Sequence, residues 1–183
     1  MTVTTPREAT EVIAFWRAAG PKKWFAKDPA FDVEFRDRFA HLYAKASRAE
    51  LAHWRNTAEG ALAEILLLDQ FPRNAFRGTP WMFATDALAR EATRAIIHAG
   101  LDKQLPDELR SFAYMPFDHS EDLADQERAV ELLSPFSENH AYHAKAHRDV
   151  IARFGRFPHR NAVLGRMPTD AEAMFLAEGG YTP

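Results

Sequence analysis

The stretch DPAFDVEFRDRFAHLY, residues 28–43, decides the fold class of this chain. Its apolar side chains recur at spacings of three and four residues, at Phe31, Phe35, Phe39, Leu42 and Tyr43. That spacing places them on one side of an α-helix. Asp28 followed by Pro29 is typical of a helix start, because aspartate accepts the free N–H groups and proline suits the first turn. The stretch therefore predicts an amphipathic helix with one buried face.

Similar start and stop signals divide the rest of the chain into helix-sized segments. Proline, glycine or a capping side chain marks expected helix starts near Pro6, Thr57, Thr79, Pro106, Ser120, Ser137 and Thr169. Ser47 with Glu50 has the form of a capping box and predicts one more start. No segment alternates polar and apolar residues, and no linker is visible. The sequence predicts a single all-α domain over residues 1–183, with seven to nine helices.

Composition limits the classes of function. The chain has 183 residues, 23 basic and 26 acidic side chains, a net charge of −3 and no cysteine. The lack of cysteine excludes disulfides, thiolate nucleophiles and cysteine-ligated metals, and it favours a reducing compartment. No apolar stretch is long enough to cross a bilayer, no signal peptide is visible, and the charge balance does not suit a nucleic-acid binder. We expect a cytoplasmic protein without a cofactor, and composition does not indicate its oligomeric state.

Asp69 is the first candidate functional residue. It shares one face of its helix with Leu62, Ile65 and Leu66, so its carboxylate is expected to point inward near the helix C-terminus. An unpaired carboxylate is disfavoured there, because burial and the helix dipole both oppose its charge. We therefore expect a contact with an arginine, either Arg73 or one of the arginines in residues 153–160. The contact could be a structural ion pair or part of a binding site.

Three histidines form a stripe along the helix expected after Ser137. His140, His143 and His147 lie on the face that continues through Val150 and Ile151. Two histidines one turn apart can share a metal, but the acidic residue of the zincin motif is missing between His143 and His147. We expect no tightly bound zinc. A hydrogen-bonded, half-buried stripe and a role in ligand binding both remain open.

The segment MPFDHSED, residues 115–122, precedes another expected helix. Asp118 or Ser120 can cap that helix, and Glu121 and Asp122 suit its first turn. Capping accounts for these residues but leaves His119 without a role. A serine nucleophile is not expected, because no Gly-x-Ser-x-Gly elbow is present.

The stretch RFGRFPHRN, residues 153–161, holds the densest positive charge. Residues 145–166 contain six basic and one acidic side chain, net +5, whereas residues 115–139 contain one basic and seven acidic, net −6. The two blocks could neutralise each other across a helix pair. Alternatively Arg156, His159 and Arg160 could bind an anion, because Pro158 stiffens their loop and the arginine fork suits phosphate and carboxylate.

These segments resemble a bacterial family catalogued as domain of unknown function 924. The most specific matching pieces are residues 69–74, residues 119–122 with Gln126, and residues 154–161 with residues 164–166. The resemblance covers nearly the whole chain. It implies a tetratricopeptide-like, right-handed array of helices, an αα-superhelix. It implies no activity, because none is established for the family and a fold alone does not supply one.

Three hypotheses of function follow. The first is a protein that binds an anionic small molecule or peptide through a set of charged and polar side chains: Asp69, Arg73, Asn74, His119, Glu121, His143, His147, Arg156, His159, Arg160 and Asn161. The second is an enzyme in which His119, His143 or His147 transfers protons, since histidine titrates near neutral pH. The third is a helical scaffold for a partner protein. A binding or catalytic site requires Asp69, His119, His147 and Arg160 to surround one cavity, whereas a scaffold scatters them.

Overall fold

The helix predicted from residues 28–43 is present as α3, Pro29–Ala46, in a computed structural model that describes residues 4–182. The Asp28 carboxylate accepts hydrogen bonds from the N–H groups of Ala30 and Phe31, at 3.0 and 3.1 Å. The predicted apolar face is turned inward, since Phe31, Phe35, Phe39 and Leu42 are all buried. Local capping and periodicity thus define this element as expected.

Helices account for 72% of the described residues, and no strand occurs among residues 4–182. The α-helical segments are α1 Arg7–Ala19, α2 Pro21–Trp24, α3 Pro29–Ala46, α4 Ala58–Ile65, α5 Phe71–Ala75, α6 Asp86–His98, α7 Asp107–Asp118, α8 Leu123–Leu133, α9 Glu138–Phe154 and α10 Asp170–Ala177. Segments α4 and α5 form one continuous helix through a π-helical turn, Leu66–Gln70. Counted that way the described residues hold nine helices, which confirms the predicted class and number.

The contacts of the chain divide it into two compact units. The first unit comprises residues 1–77 and 81–116, and the second comprises residues 78–80 and 117–183. The single domain over residues 1–183 and the superhelical array stay predictions.

The first unit is built around stacked aromatic side chains. Trp16 is fully buried, with its ring centroid 5.3 Å from that of Phe112 and 5.5 Å from that of Phe35. The Trp24 indole N–H donates to the Trp16 carbonyl at 2.7 Å, which fixes α2 against α1. Helix α1 packs against α4, α3 against α5, and α4 against α6. Aromatic pairs such as Trp16 and Phe112 bury large apolar areas and orient the helices through edge-to-face contacts.

The helix that carries Asp69 does not end near it, contrary to expectation. Proline has no N–H, so Pro72 cannot donate to the carbonyl four residues earlier, that of Leu68. The π-helical turn falls at this point, and the Thr85 hydroxyl donates to the Leu68 carbonyl at 2.6 Å. The chain therefore stays helical through Pro72 to Ala75. Phe157 and Pro158, by contrast, open a short 3-10 turn. They are therefore not structurally equivalent to Phe71 and Pro72, which lie inside a continuous helix.

The capping box expected at Ser47 and Glu50 is absent, and this prediction was wrong. Ser47 closes α3 instead, and its hydroxyl donates to the carbonyl of Ala44 at 3.0 Å. Ala49 takes a left-handed conformation with φ of 58°, which is incompatible with a helix that begins at Ser47. Glu50 pairs with Arg48 rather than with the backbone of Ser47.

The second unit places α8 against α9 and folds α10 onto the end of α9. The Ser137 side chain caps α9, and Gly155, with φ of 68°, ends it. Thr169 and Glu172 form a capping box at the start of α10. The apolar core contains Val150, Ile151 and Phe157, with Phe154, Phe175 and Tyr181 packed against it. Among the described residues of the whole chain, no helix combines the length and apolar character needed to cross a bilayer.

Candidate functional site

A polar cluster surrounds His147 in the second unit. We call Asp118, His119, His147, His159 and Arg160 the His147 cluster. The His147 side chain is only 6% exposed, and its Nδ1 lies 2.8 Å from the His143 carbonyl oxygen and 3.4 Å from Asp118 Oδ2. A carbonyl can only accept a hydrogen bond, so Nδ1 carries the proton and Nε2 keeps its lone pair. His147 is therefore held in one tautomer.

Two histidines of the cluster are uncharged at neutral pH. The pKa of His147 is lowered to about 3, mainly by burial; the hydrogen bond with the His143 carbonyl opposes this shift, and electrostatic contributions including that of Arg160 add to it. Burial lowers the pKa of His159 to about 4, and Arg160 again contributes. The Nδ1 atom of His159 is buried and has no hydrogen-bond partner among the described residues. Strongly shifted pKa values of this kind gather at functional sites.

Arg160 supplies the positive charge of the cluster. It is 6% exposed, its guanidinium lies 4.3 Å from the centre of the Phe157 ring, and its Nη1 donates to the His119 carbonyl at 3.1 Å. Its charge affects the pKa of both His147 and His159. The structure therefore brings the candidates His119, His147, His159 and Arg160 together in the second unit. Asp69, which a single site would also require, lies in the first unit.

The loop before α8 is held rigidly, and this fixes Asp118 and His119. The Gln126 amide donates to the carbonyls of Asp118 and Ser120, both at 2.7 Å. The capping prediction was wrong, because Asp122 accepts the hydrogen bond of Ala124 and caps α8. The Ser120 hydroxyl instead donates to Asp125 at 2.8 Å. Asp118 ends α7 and faces His147.

Arg156 and Asn161 are engaged with the last helix rather than exposed to a ligand. The Arg156 guanidinium donates to both carboxylate oxygens of Glu172, at 2.6 and 2.7 Å. The Asn161 amide donates to the same carboxylate at 3.3 Å. The hydrogen bond from Arg156 is the main reason that the pKa of Glu172 falls to about 2. The expectation that Arg156 is available to an anion does not fit these contacts.

Glu121 is also occupied within the protein. Its carboxylate accepts two bonds from Arg166, at 2.7 and 3.0 Å, and one from the Phe157 N–H at 2.8 Å. Burial alone would raise the pKa of Glu121, but these bonds outweigh it and the pKa is lowered. The pair joins the acidic block of residues 115–139 to the basic block of residues 145–166. The neutralisation of one block by the other is therefore observed at Glu121 and Arg166.

Asp69 lies in the first unit and has the arginine contact that was predicted. It is fully buried, and its Oδ1 lies 3.1 Å from Nη1 of Arg73. Arg73 also donates to both oxygens of Asp86, at 2.8 and 3.0 Å. The Gln70 amide donates to Asp69 Oδ2 at 2.7 Å, and Asn74 donates to the Gln70 carbonyl at 2.8 Å. These contacts support the structural ion pair.

The histidine stripe is divided between separate partners. His140 Nδ1 lies 2.8 Å from the Ser137 hydroxyl, and His143, which is exposed, lies 2.7 Å from the Tyr181 hydroxyl. Residues 4–182 contain no group of three or more His, Asp or Glu side chains arranged to hold a metal. The absence of zinc in the purified protein stays a prediction for metal analysis.

Sequence reasoning missed three residues of this unit, namely Asp118 as a histidine partner, Glu172 and Tyr181, and it named Arg166 only as part of the basic stretch. Asp118 was assigned to a cap, because a residue before a helix is read first as a capping candidate. Tyr181 lies in a coil after the last helix, where no periodicity indicates a direction. Only the contact between distant segments identifies these residues.

Comparison with known proteins agrees with this structure. A family model described as a bacterial protein of unknown function (DUF924) matches residues 12–180. The chain is 49% identical to the protein of unknown function ATU0120 from Agrobacterium tumefaciens, whose solved structure aligns with a TM-score of 0.93 and covers 96% of this chain and 100% of that one. A search of curated proteins finds no match. The match over residues 12–180 shows that this chain belongs to the DUF924 family.

Proposed function

We propose that the second unit binds the anionic group of a small molecule or peptide at the His147 cluster. Arg160 supplies the charge, and His119 and His159 supply ring nitrogens. His147, whose N–H is bonded to the His143 carbonyl, can only accept a hydrogen bond from the ligand through Nε2. The observation that carries the proposal is geometric: the buried Arg160 guanidinium lies in one cluster with buried His147 and with His159, whose Nδ1 has no hydrogen-bond partner among the described residues.

A buried arginine suits an anionic ligand. Charge-assisted hydrogen bonds from arginine to phosphate or carboxylate are stronger than neutral ones. The rigid 118–122 loop and the proline-stiffened 157–161 loop lower the cost of ordering the site. A cytoplasmic location belongs to the proposal and is supported by the absence of cysteine.

Thermal unfolding with added anions tests the proposal. Phosphate, sulfate and a panel of phosphorylated and carboxylated metabolites, each at matched ionic strength, should include at least one that raises the melting temperature. Arg160→Lys keeps the charge but loses the planar fork, so this variant should lose most of the rise. Arg156→Lys is the matched control from the same loop and should keep the rise, because Arg156 is bound to Glu172.

An unmoved melting temperature across the whole panel would overturn the anion site. So would an equal rise in the protein and in Arg160→Lys. Either result favours a helical scaffold for a partner protein, the role that the expected tetratricopeptide-like array suits.

The Asp118–His147 pair favours a second candidate function, acid–base catalysis at the same cluster. The Asp118 carboxylate and the His143 carbonyl orient the His147 imidazole through Nδ1. This leaves the lone pair of His147 Nε2 for a reacting group. Any anion that raises the melting temperature should be incubated with the protein and examined for conversion by mass spectrometry. Conversion that is lost in His147→Gln while binding remains supports an enzyme. Binding without conversion supports a binding protein only.

A further inference from the structure

The segment of residues 178–182 turns back after α10 and lies against His147. The Tyr181 hydroxyl is 2.7 Å from Nδ1 of His143 and 3.3 Å from Nδ1 of His147. The centroid of its ring lies 5.3 Å from that of His147, at a steep angle. Tyr181 thus covers one side of the imidazole that Asp118 contacts from α7.

Two glycines make this return possible. Gly179 has φ of 75°, a left-handed conformation that glycine adopts without strain. A Cβ atom at Gly180 would lie 2.4 Å from the Phe175 ring, so no other residue fits there without movement. Helix α10 is itself fixed by Glu172 on Arg156 and by Phe175 on Phe154, whose ring centroids are 5.0 Å apart. The turn therefore brings Tyr181 onto His147 from a firmly held base.

Beyond that base the segment is anchored at Tyr181, whose partly buried ring packs against the core of Val150, Ile151 and Phe157. None of residues 178–182 is buried. In this part of the described chain, the side-chain hydrogen bonds of residues 181–182 are the two between the Tyr181 hydroxyl and the Nδ1 atoms of His143 and His147. Segments with few buried contacts open at a small fraction of the global unfolding free energy. A firm base followed by a segment that is anchored mainly through one partly buried side chain is the arrangement of a lid.

We propose that residues 178–182 form a lid over the Asp118–His147 pair, with the Tyr181 hydroxyl as its latch. In the closed state the lid shields the His147 ring, and it opens to admit a small molecule. The proposal concerns access to the site of the proposed function. It does not depend on the charge of the ligand, because access can be measured with a neutral reagent.

Diethylpyrocarbonate measures that access directly. The reagent modifies uncharged imidazole, and His147 is uncharged at pH 7, so its rate depends on exposure rather than on protonation. The rate at His147 is followed by mass spectrometry of the folded full-length protein. The exposed histidines His41, His53 and His98 of the first unit serve as internal references. In Tyr181→Ala, His147 should react about tenfold faster or more, because local opening no longer limits access.

Two further variants separate the latch from general packing. Tyr181→Phe keeps the ring and loses the hydroxyl, so it should give a smaller rise in rate. Tyr142→Ala is the matched control: Tyr142 is 64% exposed and its ring contacts that of Tyr181, but it does not share the two latch bonds. It should leave the His147 rate unchanged.

The lid is contradicted if folded Tyr181→Ala and Tyr181→Phe both react at the original rate. It is also contradicted if Tyr142→Ala raises the rate as much as Tyr181→Ala does. Circular dichroism at the assay temperature checks folding, and Tyr181→Phe decides the test if Tyr181→Ala unfolds. Failure of the lid leaves the Arg160 melting test unaffected, and failure of the melting test leaves the accessibility measurement unaffected.

Discussion

Arg73 shows how many of the contacts of a single residue could be predicted from the sequence. Helical periodicity directed Asp69 inward and required a cation, and Arg73 provides it one turn later. The sequence did not indicate Asp86, which binds the same guanidinium from the next helix. Nothing in the local pattern connects residues that are thirteen positions apart across a loop, so the full ion-pair network is visible only in the fold.

Removing Arg73 should destabilise the protein more than removing either carboxylate. Arg73→Met leaves the fully buried Asp69 without its cation and should lower the free energy of unfolding by about 3–5 kcal/mol. Asp69→Asn should cost less, about 1–2 kcal/mol, because Arg73 keeps its two bonds to Asp86. Urea denaturation at pH 7 measures both values.

Arg17→Met is the surface control for that series. Arg17 and its partner Glu108 are 47% and 59% exposed, so the loss should be under about 1 kcal/mol. Equal costs for Arg73→Met and Asp69→Asn would show that the charge of Asp69 is not what Arg73 stabilises.

Among the helices, three capping residues were predicted correctly from the local sequence, whereas α6 begins at Asp86 rather than near Thr79 and α1 has no side-chain cap. Asp28, Ser137 and Thr169 each accept backbone hydrogen bonds from the turn that follows them. Ser47 and Ser120 carry similar signals but serve other contacts, Ser47 with the end of α3 and Ser120 with Asp125. A serine hydroxyl suits several backbone geometries, and its neighbours in space decide which one it adopts.

The π-helical turn before Pro72 depends on a side chain from outside its helix. Thr85→Val keeps the shape of the side chain but leaves the buried Leu68 carbonyl without the hydroxyl that now bonds it. This should lower the free energy of unfolding by about 1–3 kcal/mol, the cost of a buried unsatisfied acceptor.

Thr85→Ser retains the hydroxyl and should recover most of that loss in the same urea experiment. If the valine and serine variants are equally unstable, the methyl group of Thr85 rather than its hydroxyl supports the turn.

At the scale of the whole molecule, the all-α class and the positions of the charged blocks along the chain could be predicted from the sequence. The pairing of distant segments could not. The basic and acidic blocks do meet at Arg166 and Glu121, one of the two outcomes left open. Arg156, however, turns to Glu172 in the last helix. Charge counts do not say which of several carboxylates a given arginine reaches, because that depends on how the loops return.

The stability of the protein should fall as the pH drops below 6.5. The pKa of His147 is about 3 in the folded state, below the ordinary value of 6.5, so the unfolded chain binds more protons between these two values. The stabilisation from neutral His147 is therefore complete above pH 6.5 and decreases toward pH 3, by about 1.4 kcal/mol per pH unit.

His147→Gln isolates this contribution, because glutamine does not titrate and can still donate to the His143 carbonyl. Between pH 6.5 and 5 the protein should lose about 2 kcal/mol more than the variant does. The free energy of unfolding in urea at the two pH values gives the comparison. Identical pH dependence in both proteins would mean that His147 titrates normally in the folded state.

The aromatic core of the first unit also determines what can be seen by fluorescence. All four tryptophans, Trp16, Trp24, Trp54 and Trp81, lie in the first unit, and the second unit has none. Indole emission during denaturation therefore reports the loss of packing in the first unit alone. Far-ultraviolet ellipticity, in contrast, follows the helices of both units. Superimposable emission and ellipticity curves would show one cooperative transition, and separated curves would resolve the second unit as an independently melting body.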